Sequence, residues 1–187
     1  MKALIAYATR YGATTSTSEE IAKILREQGI NVDIVNAKEA KIKDIVEYEL
    51  VIVGSGIQID RWTGEAEDFL KRFQKELAKK KVALFVSSGG QALAEHEGNP
   101  EKIERGKKKY LEEKATKYNL QPIALGLFGG VYDFNRWPWW INKKIALTTK
   151  QQLEAASIKE IQPGVYDTRD WNNIRSWAKE LVQKILS

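Results

Sequence analysis

Ala3-Leu4-Ile5-Ala6-Tyr7-Ala8-Thr9-Arg10-Tyr11-Gly12-Ala13-Thr14-Thr15 is the stretch that decides the fold. Its first six residues form an unbroken apolar run, the pattern of a strand covered on both faces. The next seven are small, hydroxylated or cationic, and they lead straight into a helical segment, Thr14 to Gln28. In that segment Ile21, Ile24 and Leu25 share one stripe, Ser16/Glu19 and Thr17/Glu20 have capping-box spacing, and Gly29 supplies a stop. A buried strand running directly into a helix start has a chemical consequence. The first N–H groups of a helix lack intrahelical partners and carry partial positive charge, which suits a phosphate. Gly12 lets the backbone turn close to a ligand, Thr9, Thr14 and Thr15 offer hydroxyls, and Arg10 offers charge. An ordinary strand-to-helix turn with threonine caps has the same residues, and this loop alone does not choose between the two.

The same alternation continues outward. Strands are expected at Asn31 to Val35, Glu49 to Val53, Val82 to Val86 and Pro122 to Phe128. Helices are expected at Gly64 to Lys79, Pro100 to Lys117 and Asp170 to Leu186, with Phe69, Phe73 and Leu77 spaced by four in the first of these. Val131 to Thr168 reads as irregular and aromatic. Five strands alternating with helices imply a parallel sheet with helices on both faces, and no Pro/Gly/Ser linker divides the chain. The expectation is one domain over residues 1–187, in line with the usual domain size of roughly 100–200 residues.

Composition removes several classes of function. There is no cysteine, so disulfides, thiolate metal sites, iron–sulfur clusters and cysteine nucleophiles are excluded, and any redox chemistry must use an organic cofactor. One histidine, His96, is too little for a transition-metal site, and in a polar loop it reads as an exposed residue. No apolar stretch approaches the ~20 residues of a membrane span. Met1 to Ala8 is too short for a signal peptide, so a cytoplasmic location is expected. The formal net charge of +5, with clusters at Lys79 to Lys81 and Lys107 to Lys109, favours anionic partners, although such clusters are more often solvated helix faces.

In an open parallel sheet ligands bind outside the carboxyl ends of the strands, at the switch point. Three such ends carry small or glycine-rich loops. The second, after Val53, reads Gly54-Ser55-Gly56-Ile57-Gln58-Ile59-Asp60-Arg61-Trp62, and the third reads Ser87-Ser88-Gly89-Gly90-Gln91. Glycines and polar backbone beside apolar side chains suit a flat ring with hydrogen-bonding edges. Trp62 has two readings, stacking on such a ring or packing on the helix that follows. The first loop carries neither G-x-G-x-x-G nor G-x-x-x-x-G-K-[ST], which argues against dinucleotide and Walker sites. A phosphatase of this topology would need a cysteine, and a receiver domain would need acidic residues where Thr9 and Gly54 stand.

The Thr9-Arg10-x-Gly12-x-Thr14 loop after a first strand resembles the FMN-phosphate loop of the flavodoxin family. Within that family the chain looks most like the flavodoxin-type protoporphyrinogen oxidases that pass electrons to quinones. The loop Ala8 to Thr14, the late stretch Arg136-Trp137 to Ile141-Asn142-Lys143-Lys144, and Tyr166-Asp167-Thr168-Arg169-Asp170-Trp171 carry the likeness. It implies a three-layer α/β/α sandwich with a five-stranded parallel sheet in the order 2-1-3-4-5. It also implies FMN as cofactor, held by Thr9, Arg10, Tyr11, Gly12, Ala13 and Thr14, by Ser55, Gly56, Ile57, Gln58 and Trp62, and by Ser87, Ser88, Gly89, Gly90 and Gln91. The activity implied is an FMN-dependent oxidoreductase with a quinone or redox protein as partner and a porphyrinogen as substrate. Two other readings are a one-electron carrier and a flavin-less binding module on the same fold. The chain departs from ordinary flavodoxins in having Tyr11 at a usual threonine, no aromatic directly after Gly56, and a basic rather than acidic balance.

The insert before the last helix, about residues 131–168, holds Trp137, Trp139 and Trp140 beside Arg136, Lys143 and Lys144. Packing on its own domain, contact with a membrane surface or partner, and stacking on a flat substrate all fit that composition. Nucleic-acid binding has no other feature in its favour, and an oligomer is compatible with the sequence. Because the insert follows the fifth strand, Val131 to Thr149 is expected to lie beside the flavin edge and govern access to it.

Overall fold

A computed structural model describes residues 1–39, 42–137 and 142–186. Trp139, Trp140 and Ile141 of the insert lie outside the described residues. In chain order the elements are β1 (Lys2–Ala8), α1 (Ala13–Glu27), β2 (Asn31–Asn36), β3 (Leu50–Gln58), β4 (Arg61–Trp62), α2 (Gly64–Arg72), α3 (Gln74–Leu77), β5 (Lys81–Ser87), α4 (Gly89–His96), α5 (Pro100–Lys107), α6 (Glu113–Lys117), β6 (Ala124–Phe128), β7 (Val131–Asp133), α7 (Lys143–Ala155), β8 (Glu160–Gln162), β9 (Val165–Asp167) and α8 (Trp171–Leu186). Between α5 and α6 the helix widens to π geometry over Lys108–Glu112.

The main sheet has the order β2-β1-β3-β5-β6, and every pairing along that path is parallel. These are the five expected strands in the expected 2-1-3-4-5 arrangement. Their labels differ only because β4, a two-residue strand, folds back antiparallel on the end of β3. Successive residues of β1 serve opposite faces, as strand geometry requires. Ile5 packs with Ile21, Leu25, Phe85 and Trp177 under α1 and α8. Leu4 packs with Val51, Leu70 and Leu111 on the other side. Both faces are therefore dry, which is why the strand reads as a continuous apolar run.

Four local expectations give way to tertiary context. The capping pairs Ser16/Glu19 and Thr17/Glu20 do not start α1, since the residue at its N-cap is Gly12 and no side chain caps it. Strand β3 does not stop at Val53. It continues through Gly54 to Gln58, because pairing of Gly54 to Gly56 with β5 overrides the low strand preference of glycine. Gly89 to Gln91, expected as loop, is the first turn of α4. The stretch from Val131 to Thr168 is not irregular. It holds the antiparallel sheet β7-β9-β8 and helix α7, built on a small core of Leu93, Leu153 and Tyr166 with Tyr132 and Phe134 against it. Strands of three residues are too short to display a period of two, so only their aromatics were legible.

Candidate functional site

Segments after β1, β3 and β5 converge on a cleft of about 290 Å³ at the carboxyl end of the sheet. That is near the lower end of small-ligand sites, roughly 300–1,000 Å³. On the first segment Gly12 adopts φ 88, a left-handed conformation, and its N–H donates to Thr9 Oγ1 at 3.0 Å. With no capping side chain the positive end of α1 is left for a ligand. Thr14 is fully buried in the first turn of that helix, and Ser87 is buried at the end of β5. Both line the cleft, and Thr14 Oγ1 and Ser87 Oγ have no hydrogen-bond partner among the described residues. Buried hydroxyls are rarely left without partners, so two at one cleft fit a polar ligand that satisfies them.

Arg10 lines the cleft, yet its guanidinium is paired bidentately with Glu65, at 2.9 and 3.1 Å. Arg10 holds the Glu65 carboxyl below the usual carboxylate range. The pair therefore persists through neutral pH and is lost only on acidification through that lowered value.

The hairpin between β3 and β4 forms the second wall. Its tip, Ile59-Asp60, has φ 47 and 62 at both residues, the geometry of a tight two-residue turn. A β-branched residue in that region is strained, and Ile59 is also 65% exposed. The tip is clasped from outside by the π turn, where Lys109 Nζ and the Tyr110 hydroxyl both donate to the Asp60 carboxylate. These contacts hold Asp60 below its ordinary pKa, while burial first and Asp60 second push the Tyr110 phenol up. Inside the wall, Gln58 Nε2 donates to the Tyr11 hydroxyl at 3.4 Å.

The remaining wall comes from the segment expected beside the ligand, Val131 to Thr149, of which Val131, Tyr132 and Trp137 line the cleft. Tyr132 of β7 lies with its ring against Gly89, where an added Cβ would come within 2.5 Å of the ring. It stacks on Phe134 at 6.1 Å, with Trp137 beside both. Burial pushes the Tyr132 phenol up to about 12, so it stays a neutral O–H donor near neutral pH. The aromatics were visible in the sequence, but nothing in their spacing separated Tyr132 and Trp137 from the rest.

Twelve of the sixteen expected residues line the cleft: Thr9 to Tyr11, Ala13 and Thr14, Gly56 to Gln58, and Ser87 to Gly90. Gly12 shapes the first loop without lining the cleft. Three others are spent elsewhere. The Ser55 hydroxyl accepts from the Thr63 N–H at 3.0 Å and ties the hairpin to the start of α2. Gln91 Nε2 donates to Glu95 Oε1 at 2.8 Å along α4. Trp62 does not stack at the cleft; it is buried in the core and its Nε1 donates to the Tyr110 carbonyl at 2.8 Å. Trp62→Phe is expected to cost about 1–2 kcal/mol of stability, for one hydrogen bond and some packing. Affinity for a ligand of the cleft should stay within about twofold, and a calorimetric titration beside a thermal melt checks both. His96 is the exposed last residue of α4, outside the cleft.

A family model described as a flavodoxin domain matches residues 4–159. The protoporphyrinogen IX dehydrogenase (quinone) of Escherichia coli strain K12 is 24% identical over 183 residues, covering 97% of this chain and 95% of that one. The flavodoxin of Clostridium beijerinckii is 31% identical over 87 residues, 46% of this chain and 63% of that one. Among solved structures, the flavodoxin of Streptococcus pneumoniae TIGR4 superposes with TM-score 0.57 at 14% identity, covering 98% of this chain and 99% of that one. Among the described residues no helix is long and apolar enough to cross a membrane.

Proposed function

The chain belongs to the flavodoxin domain family, and on that footing we propose that it binds one FMN in the cleft and works as an FMN-dependent oxidoreductase with a quinone as acceptor. The observation that carries the cofactor is the pair of buried hydroxyls, Thr14 Oγ1 and Ser87 Oγ, left without partners at the cleft wall. Thr9, Thr14 and the uncapped first turn of α1 hold the phosphate. Backbone of Gly56 to Gln58 and of Ser87 to Gly90 borders the ring. Bound FMN supplies hydride and single-electron transfer. The chain's own part is to fix the ring, to exclude water with Tyr132 and Trp137, and to offer the neutral Tyr132 hydroxyl as a donor. The cleft has one phosphate loop and no dinucleotide fingerprint, so FMN should bind at least as tightly as FAD.

A protoporphyrinogen-type donor is the substrate favoured by full-length similarity to the E. coli dehydrogenase. The partial match to the Clostridium flavodoxin supports the second reading, an electron carrier without a substrate of its own. An absorbance spectrum with an FMN titration tests the cofactor, and turnover of protoporphyrinogen with a quinone separates enzyme from carrier. Thr14→Val is a sharper test. Removing an unpartnered buried hydroxyl should leave the apo protein as stable as before or slightly more so. FMN affinity should fall about tenfold or more, the worth of a hydrogen bond to a charged acceptor. If affinity is unchanged, the phosphate is not at this loop.

Contact with a membrane surface, where quinones reside, is part of the same reading. On α7 the exposed Ile145 and Leu147 follow Lys143 and Lys144, the mixture expected at a lipid interface. Changing Trp139 and Trp140 together to alanine should leave FMN affinity nearly unchanged and lower liposome binding or quinone reduction several-fold. Loss of FMN instead would put those rings in the flavin pocket.

A further inference from the structure

The β3–β4 hairpin that walls one side of the cleft has little to hold it from within. Two residue pairs join its strands, Ile57 with Trp62 and Gln58 with Arg61. A two-stranded hairpin this short is not stable alone in water. Its turn also works against it. Tight two-residue turns with positive φ at both positions favour Asn-Gly or Asp-Gly, whereas here Ile59 and Asp60 stand at φ 47 and 62. A β-branched residue in the left-handed region is strained, and such a conformation persists only where its surroundings impose it. The surroundings are the π turn at Lys108–Glu112. Tyr110 grips the hairpin twice. Its carbonyl accepts from Trp62 Nε1 at 2.8 Å, and its hydroxyl donates to the Asp60 carboxylate, to which Lys109 Nζ donates as well. Neighbouring residues of a regular helix do not face the same way. Widened turns recur at functional sites, and this one brings two consecutive side chains onto one carboxylate.

Two features argue that this clasp serves the cleft rather than the stability of the fold. Ile59, Asp60 and Tyr110 all line the cleft. The side chains of Lys109 and Asp60 are 44% and 58% exposed, and ion pairs so open to solvent add little to global stability. Resting on the proposed flavin site, we infer that Asp60, Lys109 and Tyr110 are positioning residues. They hold the turn in a conformation it would otherwise leave, and so fix the Gly56 to Gln58 backbone that borders the ring. None of the three has to touch the ligand to do this. The strain at Ile59 is the opposing force, and the clasp keeps it from moving the wall. A wall fixed in advance raises affinity because no ordering cost falls due on binding.

The test is a rescue. Lys109→Met/Tyr110→Phe removes both donors to Asp60 but keeps the aliphatic stem, the ring and the Tyr110 carbonyl. FMN affinity, titrated calorimetrically, should fall about tenfold. The apo protein should melt within about 2 °C of the wild type, since the lost pair is solvated. Adding Ile59→Asn relieves the turn, because asparagine is at ease at positive φ. Affinity in that triple variant should return to within about threefold of the wild type. A merely structural role would not give this rescue, because Ile59→Asn restores neither contact. Affinity unchanged in the double variant overturns the inference. So does a triple variant that stays weak, which would mean that the ligand depends on the lost charge or hydroxyl itself. A double variant that melts more than about 5 °C lower places the clasp in the fold at large and overturns it too. Amide hydrogen exchange over Gln58 to Trp62 in the apo protein reads the turn without any cofactor. It should quicken in the double variant and slow again in the triple. If the wild type binds no FMN, the proposed cofactor falls and exchange alone decides the inference. Equal rates in the wild type and the double variant then overturn it, and the expected pattern leaves the clasp standing as what holds this wall.

Discussion

Gly12→Val is expected to lower FMN affinity by more than about a hundredfold while leaving a folded apo protein. The residue sits at φ 88, at the N-cap of α1, where the backbone must turn from β1 into the helix. Valine there carries a backbone strain of about 1–3 kcal/mol, which lowers the melting temperature by several degrees without unfolding the sheet. A Cβ at Gly12 meets no protein atom within 4 Å, so the apo state has room for the side chain. A phosphate seated on the helix N-terminus would approach past this turn, and a side chain standing in that open space would cost it affinity. Gly12→Asn separates the two effects. Asparagine tolerates the left-handed region, so strain largely disappears while the side chain remains. If blocked approach is the cause, Asn also binds FMN weakly; if strain is the cause, Asn recovers most of the affinity. Calorimetric titration of both variants decides this, and affinity unchanged in valine would move the flavin away from the first loop.

How much of this was legible depended on which physical signal each element leaves in a sequence. Buried parallel strands leave a continuous apolar run, and Ala3 to Ala8 and Val82 to Val86 gave their positions within a residue or two. The first and third cleft segments follow such strands directly, which is why Thr9 to Thr14 and Ser87 to Gly90 could be assigned. Other features depend on pairing between distant segments and leave no periodic trace. The extension of β3 through Gly54, Ser55 and Gly56 rests on its neighbours β1 and β5, and glycine-rich composition points the other way. The role of Trp62 was ambiguous because a tryptophan after a glycine-rich loop suits a ring site and a core equally. The carbonyl of Tyr110, forty-eight residues later, decides it. The insert was recognisable as aromatic and basic, and its place after the last sheet strand put it beside the cleft, where Val131, Tyr132 and Trp137 line it; the seating of the Tyr132 ring over Gly89 is what no spacing rule encodes.

Arg169→Met is expected to cost about 3 kcal/mol of stability, lower the melting temperature by roughly 10 °C, and weaken FMN binding about tenfold. Arg169 lies just after β9, with its side chain only 8% exposed. Its Nε and Nη2 donate to the two oxygens of Asp167 at 2.8 and 2.6 Å. Its Nη1 crosses to α1 and donates to the Ala13 carbonyl at 3.0 Å and to Ser16 Oγ. The guanidinium also stacks over Trp171 at 4.3 Å, at the start of α8. One side chain thus joins the end of the insert, the last helix and the first turn of the helix that carries Thr14. Methionine keeps the bulk and removes every donor. Asp167 then keeps a poorly solvated charge without its partner, which is the larger part of the stability cost. The first turn of α1 loses a brace, and a phosphate site built on that turn loses some of its preorganisation, which is the affinity cost. The two costs come apart in Asp167→Asn/Arg169→Met. Removing the stranded carboxylate should return at least half of the lost stability, while FMN affinity should stay low because the brace is still missing. A double variant that recovers both properties would mean Arg169 acts on the flavin only through global stability. A single variant that melts within about 2 °C of the wild type would mean that the pair is too well solvated to bear on the fold.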